Sequence, residues 1–409
     1  MNGCSVTANA AAKTLPSGLV WLYAVASGMS VANVYYAQPL LDALARDFAI
    51  STAAVGGVVT ATQTGCALAL LLLVPLGDMV ERRKLMLAQL TGLVVALGLV
   101  SLSTSTPMLL CGMLAVGLLG TAMTQGLIAS AASASDGQER GRVVGAAQGG
   151  VFIGLLLARV FAGVVSDLAG WRAVYGASAA LMLVMLPLLW WRLPRVALSR
   201  EPIRWSALIF SMLKLLLTDR VLQIRGVLAL LMFAAFNIFW SAMVLPLSAP
   251  GYGFSHTVIG LFALAGVAGA LAAGRAGRDA DRGYGQRTSL LALLVLLLAW
   301  WPLSWLEHSL PMLLLGIVLL DLGGQALHVT SQSLILRAEP ALHGRLVALY
   351  MLFYATGSGV GAISTTSTYA IFGWQGVCWL GASVSFSALV IWALTRHLMP
   401  NNNRDNRGE

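Results

Sequence analysis

The chain has 409 residues, of which 58% are hydrophobic and only 10% are charged, and its mean hydropathy is +0.82. Soluble globular proteins carry charge on about a quarter of their residues, so this composition excludes that class and indicates a protein that lies in the lipid bilayer. The net charge of +9 does not indicate a nucleic-acid partner, because the basic residues form no cluster that would fit a groove.

The apolar residues fall into twelve runs that are separated by short polar turns. A helix needs about 20 apolar residues to cross a bilayer, so each run predicts one transmembrane helix, numbered here spans 1 to 12. The predicted spans cover residues 18–41, 52–76, 84–104, 107–132, 142–166, 172–192, 222–247, 256–275, 287–306, 310–336, 345–369 and 374–396. Span 1 is too long for a signal peptide and lacks a clear cleavage site, so we expect it in the mature protein.

A polar linker divides the spans into two groups of six. Residues 18–192 form the predicted N-terminal bundle, called here the first half, and residues 222–396 form the C-terminal bundle, called the second half. Between them, residues 193–221 mix basic and apolar side chains over a stretch too short to cross the bilayer, which predicts an amphipathic helix on the membrane surface. Residues 1–17 and 397–409 are predicted tails on the same side as this linker.

The basic residues are distributed unequally between the two sides of the membrane. If alternate turns lie on the same side, nearly all of the 25 lysines and arginines, Arg225 among them, fall on the side of the tails. Arg46 and Arg172 fall on the other side, and Arg159 lies inside span 5. By the positive-inside rule, both termini are expected in the cytoplasm.

The two halves repeat one another at a distance of 203 residues. The pairs related by this distance include Asp78 with Asp281, Gly141-Arg142 with Gly344-Arg345, and Gly170-Trp171 with Gly373-Trp374. The chain is therefore a tandem duplication over much of its length, and this predicts two pseudo-symmetric bundles.

The stretch around each repeated aspartate resembles a known signature. Residues 75–84 read PLGDMVERRK and residues 277–287 read GRDADRGYGQR, each between two predicted spans. Both are similar to the cytoplasmic signature that follows helices 2 and 8 in the major facilitator superfamily. The resemblance implies an all-α membrane protein whose twelve transmembrane helices form two six-helix bundles around a central cavity.

The resemblance also implies a gating role for the charged residues of these loops. A carboxylate is favoured near a helix N-terminus by the helix dipole and the free amides there. Asp78 is expected to meet the start of span 11 near Arg345, and the repeat places Asp281 near Arg142 at the start of span 5. The other residues that we assign to this gate are Arg82, Arg83 and Arg282. In the alternative interpretation, the loops are solvated and only fix the topology.

Ionisable residues at membrane depth are costly and usually face a cavity or a partner. Span 10 carries a polar stripe that recurs every three or four residues and stays within an arc of about 60°. The stripe consists of Asp321, Gln325, His328 and Gln332. We predict that Asp321 and His328 bind coupling protons. The alternative is a buried network that only fastens span 10 to a neighbour.

Arg159 and Asp321 lie in different halves, toward the same side of the membrane. In the family that the chain resembles, helix 5 packs near helices 8 and 10, which implies that the two residues meet. We expect them to form an ion pair when the side opposite the tails is closed, and to separate when Asp321 is protonated or an anion binds Arg159. The alternative is a permanent pair.

Further candidates for a substrate site are polar and aromatic residues at helical spacing on spans 1, 4, 7 and 11. Together with Arg159 and Gln325, we assign to substrate binding Asn33, Tyr36, Gln125, Asn237, Trp240 and Tyr354. For the aromatic members, ordinary packing or a place in the interfacial belt is the alternative.

Several enzyme motifs are missing from the sequence. No lysine follows a glycine, so the chain has no Walker A loop, and it contains neither HExxH nor GxSxG. The four cysteines, Cys4, Cys66, Cys111 and Cys378, show neither paired nor metal-ligand spacing. We therefore expect a protein without enzymatic activity, cofactor or metal.

A duplicated bundle with polar residues near the midplane is typical of a secondary transporter, which moves one half against the other. The chain resembles bacterial proton-linked efflux proteins of the drug and metabolite antiporter group. This implies a monomeric protein of the bacterial cytoplasmic membrane that exports a small organic solute in exchange for protons.

Two features differ from that antiporter group. Span 4 lacks a central arginine, and span 5 reads Gly154-Leu155 and Ala158-Arg159 where the group has Gly-Pro and Gly-Gly pairs. Proton-coupled uptake or uniport of a small metabolite, and a membrane sensor without transport activity, therefore stay open as alternatives.

Overall fold

The computed structural model describes residues 15–135, 139–194, 204–337 and 342–399; within these ranges, the side chains at 78, 268, 270–273 and 281 lie outside the described set. Every regular element among the described residues is helical. This is expected in a bilayer, where each segment must satisfy its own backbone hydrogen bonds. Most of the two predicted tails and residues 195–203 of the linker lie outside the described residues.

Each predicted span corresponds to a helix at nearly the predicted position. The helices of the first half are Ser17–Tyr35, Gly57–Leu68, Arg82–Ser101, Thr106–Ala134, Arg140–Ala169 and Trp171–Arg192. Those of the second half are Arg220–Ala242, His256–Leu261 with Val267–Asp279, Gly285–Leu298, Leu310–Ile335 and His343–Thr395. Short helices extend spans 1, 7 and 9 at Leu41–Asp47, Val244–Ser248 and Trp300–Leu303.

Ten helical stretches in the described part of the chain are long and apolar enough to cross a membrane. The helix His343–Thr395 holds spans 11 and 12 together, because its 53 residues would reach about 80 Å and the backbone breaks at Gly373. Span 8 is divided by the tighter turn Phe262–Gly266, so neither of its parts is a full span by itself. The predicted architecture of twelve transmembrane helices in two bundles is confirmed.

The linker contains the helix Trp205–Thr218, which joins the two halves. One face packs on the bundle through Leu208 and Met212, whereas Phe210 and Leu217 are 71% and 77% exposed. The apolar exposed face is the feature that an amphipathic helix presents to a membrane surface.

The duplicated Gly-Trp pairs adopt the same local structure in both halves. Gly170 has φ +82° and Gly373 has φ +62°, values that favour glycine over residues with a side chain. Each glycine begins the turn into the last span of its half, and the next residue, Trp171 or Trp374, is buried. The repeat seen in the sequence is thus a repeat of backbone geometry.

The halves touch most closely at one end of the molecule. We call the end with loops 78–84 and 281–287 the basic end, and the other the opposite end. Near the opposite end, span 5 crosses span 8 in backbone contact: a Cβ on Gly163 would lie 2.2 Å from the carbonyl oxygen of His256, and a Cβ on Gly260 would lie 2.4 Å from that of Arg159.

Spans 2 and 11 make the equivalent contact on the other side of the molecule. The backbone amide of Gly56 donates to Oγ1 of Thr366 at 3.2 Å, and Oγ1 of Thr60 donates to the carbonyl of Gly359 at 2.8 Å. Two helix crossings therefore close the opposite end.

Candidate functional site

A buried arginine from span 5 lies between the two halves. The Nε and Nη2 atoms of Arg159 donate to Oε1 of Gln38 at 3.1 and 2.7 Å, and the amide of Gln38 donates to Oδ1 of Asn237 at 2.9 Å. The guanidinium lies over the ring of Trp240, 4.2 Å from its centroid, and is 2% exposed. These four residues form the central network, which links spans 1 and 5 of the first half to span 7 of the second half.

Gln38 reaches this position because span 1 does not continue as a straight helix. The α-helix ends at Tyr35, and a short turn over Gln38–Leu40 leads into Leu41–Asp47. Pro39 suits the first turn of a new helical segment, since it has no backbone N–H to leave unpaired. Gln38 was not among the residues predicted from the sequence, although a polar residue before a proline at the end of an apolar run was a visible signal.

Asp321 of span 10 lies beside the central network without joining its hydrogen bonds. The side chain is 5% exposed, and its Oδ2 has no hydrogen-bond donor in the described part of the structure. A Cβ on Gly266 of span 8 would lie 2.7 Å from this oxygen, so glycine makes room for the carboxyl group. An unpaired carboxylate at this depth is costly, and a proton or a nearby cation can compensate it.

The expected ion pair between Arg159 and Asp321 is wrong for this conformation. The two charges interact electrostatically, but the described residues show no direct ion pair between them although the opposite end is closed. Gln38 instead accepts two hydrogen bonds from the guanidinium. Arg159 therefore has two possible partners, one in each half, and binds the neutral one here.

The lower part of the span 10 stripe faces an aromatic cluster within the second half. Nδ1 of His328 lies 3.0 Å from the hydroxyl of Tyr350, and the His328 ring stands at 5.2 Å from that of Phe233. Phe233 also packs against Tyr354 at 4.2 Å between ring centroids. Gln325, His328 and Tyr354 are half-buried. In this conformation His328 also fastens span 10 to span 11, as the alternative interpretation of the stripe states.

Asn33 and Tyr36 lie inside the first half, away from the central network. Oδ1 of Asn33 accepts a hydrogen bond from Ser178 of span 6 at 2.6 Å, and its side chain is fully buried. Tyr36 packs against Phe161 and Tyr175 at centroid distances of 5.4 and 6.2 Å. In this conformation both residues hold span 1 to its neighbours.

A cavity of about 450 Å³ opens at the basic end. Its lining residues come from spans 2, 3, 4, 5 and 11 and from the linker helix, and include Gln125, Arg82, Arg140 and Arg345. Nε of Arg82 donates to the carbonyl of Gly77 at 2.9 Å, and Nη1 of Arg345 donates to Oγ of Ser211 in the linker helix at 3.0 Å. The gate residue Arg345 thus faces the same cavity as the first signature loop.

The remaining predicted gate residues have other surroundings. Arg83 donates to the carbonyl of Trp190, Arg142 pairs with Glu139 at 2.7 Å, and Arg282 is exposed. The side chains of Asp78 and Asp281 lie outside the described set, so their gating role stays a prediction.

Arg225, counted from the sequence with the basic residues on the side of the tails, is not exposed there. Its side chain is fully buried in span 7, where Nη1 donates to Oγ of Ser289 at 2.8 Å. Nε and Nη2 of Arg225 have no hydrogen-bond partner among the described residues. The sequence did not reveal this burial, because Arg225 follows the start of its helix by little more than one turn and the face that it occupies was not visible.

Sequence comparison connects the chain to a family of transporters. The family model described as Major Facilitator Superfamily matches residues 20–278 and 226–409. The uncharacterized transporter YgaY of Escherichia coli O157:H7 is 40% identical over 379 residues, which are 92% of this chain and 95% of that protein. The uncharacterized MFS-type transporter YybF of Bacillus subtilis (strain 168) is 24% identical over 384 residues, with 90% of each chain covered.

Two solved structures share the fold at low sequence identity. A bacterial homolog of the human lysosomal transporter Spinster, in an inward-facing and unoccupied conformation, has a TM-score of 0.76 at 14% identity, covering 94% of this chain and 97% of its own. A D-xylose-proton symporter has a TM-score of 0.74 at 16% identity, covering 95% and 99%.

Proposed function

The chain belongs to the Major Facilitator Superfamily and is a multi-pass membrane transporter, and on this premise we propose that it exports a small organic solute in exchange for protons. The transporter works by alternating access, in which one half rocks against the other around a central site. Its most economical assembly is a monomer, because each chain contains both halves.

In the proposed orientation, the basic end and both termini face the cytoplasm of a bacterium. The strong bias of lysine and arginine toward that end supports this orientation. The conformation with a closed opposite end is then an inward-facing one, with the cavity near Gln125 and Arg345 open to the cytoplasm.

The observation that carries the proposal is the position of Arg159 between two competing partners. Gln38 binds the guanidinium in the present conformation, while Oδ2 of Asp321 stands nearby without a hydrogen-bond donor among the described residues. A protonated Asp321 leaves Arg159 to Gln38. An ionised Asp321 attracts Arg159 across the interface between the halves, because opposite charges interact strongly where water is excluded.

This competition couples proton binding to movement. The halves are joined in this network by the hydrogen bond from Gln38 to Asn237, and the guanidinium of Arg159 holds Gln38 in position for it. When Asp321 loses its proton, Arg159 changes partner and the link through Gln38 weakens. The crossing of spans 5 and 8 lies beside Arg159, and in this proposal the movement of the guanidinium loosens that crossing, so that the opposite end opens and releases solute although Arg159 and Asp321 attract each other.

The solute proposed here has an apolar or aromatic body and one weakly acidic group. Phe233, Trp240 and Tyr354 offer aromatic surfaces next to the network. Trp240 also has an indole Nε1 without a hydrogen-bond partner in the described structure, which can bind a polar atom of the solute. An acidic group of the solute can bind Arg159 in place of Gln38.

The proposal is tested by proton flux in proteoliposomes. Purified protein is reconstituted with a pH-sensitive dye inside the vesicles and challenged with organic acids, lipophilic cations, amino acids and sugars. We expect an organic acid with an apolar body to drive proton counterflow in the wild type. The Asp321→Asn variant should lose this counterflow but still exchange labelled solute for unlabelled solute, because solute exchange does not require a proton to move.

The matched control is Glu307→Gln, which removes an exposed carboxylate away from the central network. It should behave like the wild type. Proton movement in the same direction as the solute would show uptake by symport and contradict export. Equal proton flux in the wild type and in Asp321→Asn would remove Asp321 from the coupling mechanism.

A further inference from the structure

Three titratable side chains meet where the halves touch at the opposite end. His256 begins span 8, and its Nε2 lies 2.9 Å from Oδ1 of Asp42 in the helix that follows span 1. Its Nδ1 lies 3.1 Å from Oδ1 of Asp167 at the end of span 5. The imidazole of the second half is therefore held between two carboxylates of the first half. The side chain of His256 is 16% exposed and that of Asp42 is 7% exposed.

Asp167 also binds the backbone at the start of span 8. Its Oδ1 accepts a hydrogen bond from the backbone amide of His256 at 3.1 Å, and its Oδ2 accepts one from that of Thr257 at 2.8 Å. A carboxylate at a helix N-terminus is favoured by the free amides and by the helix dipole. This contact does not depend on the ring, so Asp167 keeps the imidazole in place whichever nitrogen carries a proton.

The geometry selects the protonated ring. A neutral imidazole has an N–H on one nitrogen and a lone pair on the other, whereas the imidazolium donates from both. With a carboxylate facing each nitrogen, the neutral ring would direct its lone pair at one of the two oxygens. With both carboxylates ionised, the arrangement observed for His256 therefore satisfies Asp42 and Asp167 only when the ring carries a positive charge.

Two arginines near the ring, Arg46 and Arg159, do not supply the positive charge between the two carboxylates. Arg46 pairs with Asp42 at 3.0 Å, but its side chain is 67% exposed and screened by water. Arg159 contacts the next turn of span 8 only through its backbone carbonyl, and its guanidinium belongs to the central network. The imidazole is thus the charge that lies directly between the two carboxylates.

We propose that His256, Asp42 and Asp167 form a second proton-binding site, distinct from Asp321, that acts as a latch on the opposite end. A proton on His256 bridges the halves and favours the closed opposite end. Loss of this proton leaves a carboxylate facing a lone pair and weakens the closure. In the proposed orientation the site senses the pH outside the cell.

The test measures how far the opposite end opens at different pH values. Spin labels are placed at Leu102 in the first half and Ile371 in the second half, both 73% exposed and near the opposite end, after replacement of the four native cysteines. Distances between the labels are recorded by pulsed electron resonance in lipid nanodiscs at about pH 5.5 and about pH 8.5, which bracket the usual titration range of histidine. We expect the short-distance population of the wild type to fall severalfold at the higher pH.

Three variants separate the latch from other titrating groups. His256→Gln, which cannot gain a positive charge, should change much less than the wild type between the two pH values, and combined with Asp321→Asn it should give the same distance distribution at both. Asp42→Asn, which keeps an acceptor but removes a charge, should shift the response of the wild type to lower pH. Asp321→Asn should retain the response that depends on His256, so a failure of the proposed transport mechanism would leave this result intact.

Two outcomes would overturn the proposal. One is a wild-type distribution that does not change between the two pH values. The other is a change in His256→Gln as large as that in the wild type, which would place the responsible proton elsewhere. Elution of each variant as a single peak in size-exclusion chromatography checks that it is folded.

Discussion

Replacement of Gly163 by alanine should open the opposite end of the transporter. A Cβ at this position would lie 2.2 Å from the carbonyl oxygen of His256 and 2.6 Å from its carbonyl carbon. Ordinary contact begins at 3.4 Å, so spans 5 and 8 must separate by about 1 Å to admit one methyl group. Because both neighbours are backbone atoms, no side chain can turn away to make room.

The size of the effect follows from the cost of this overlap. Forcing an additional methyl group into a close contact costs about 1 to 3 kcal/mol. This cost applies only to the conformation in which the two spans touch, since the methyl group meets no obstacle once they part. The ratio of closed to open molecules should therefore fall by about 5- to 150-fold.

The spin labels at Leu102 and Ile371 measure this ratio directly. Gly163→Ala should transfer population from the short to the long distance, at a pH where the wild type is mostly closed. The control is Gly145→Ala on the same span, where a Cβ meets no other heavy atom within 4 Å. Identical distributions for Gly163→Ala, Gly145→Ala and the wild type would refute the assignment of this crossing as the closure.

Other substitutions test the central network, the repeated turn and the buried arginine. Gln38→Leu removes the amide that donates to Asn237 across the halves and accepts from Arg159, so the same labels should report a larger open population; an unchanged distribution would contradict the link between the halves. Gly373→Ala should lower stability by about 1 to 3 kcal/mol, because a side chain is strained at φ +62°. A fall in the melting temperature relative to Gly98→Ala, which meets nothing within 4 Å, would verify this. Arg225→Met should leave the melting temperature unchanged or raise it, since two nitrogens of the buried guanidinium lack partners among the described residues, and a marked fall would mean that Arg225 has a partner in the folded protein.

The fold could be predicted from the sequence because it depends on features that can be read in order along the chain. The apolar runs give the spans, and the spacing of 203 residues relates Gly170 to Gly373 from their positions alone. Both glycines then prove to have positive φ values. The same spacing relates Gly154 to Gly357, and each packs against the backbone of another span. A Cβ on Gly154 would lie 2.2 Å from the carbonyl oxygen of Gly28, and one on Gly357 would lie 2.1 Å from that of Leu230.

The contacts of the central network could not be predicted in the same way. The sequence indicated that Arg159 and Asp321 are inside the membrane, and their opposite charges together with the helix packing implied by the family resemblance favoured a direct ion pair. The actual partner, Gln38, lies 121 residues away and is aimed at Arg159 by the turn that ends span 1. Likewise the meeting of His256 with Asp42 depends on two helix ends in different halves, at the boundaries of two predicted spans that the sequence does not bring together.

The central network and the His256 site lie along the same crossing of spans 5 and 8. From the centre toward the opposite end, Arg159 packs against Gly260, Gly163 packs against His256, and Asp167 binds the start of span 8. A change in the partner of Arg159 acts on one end of this crossing, and the proton on His256 acts on the other.

Both proposed proton sites would therefore bias the same equilibrium between closed and open crossings. A direct contact between backbones suits this task, because a separation of about 1 Å already loses much of the dispersion energy between the two helices. With Asp321 alone, closure of the opposite end would depend only on whether the central carboxyl group carries a proton. With His256 alone, closure would depend only on the pH at the opposite end. Acting on a single crossing, the two contributions to closure combine, so the opposite end is most firmly closed when Asp321 and His256 are both protonated.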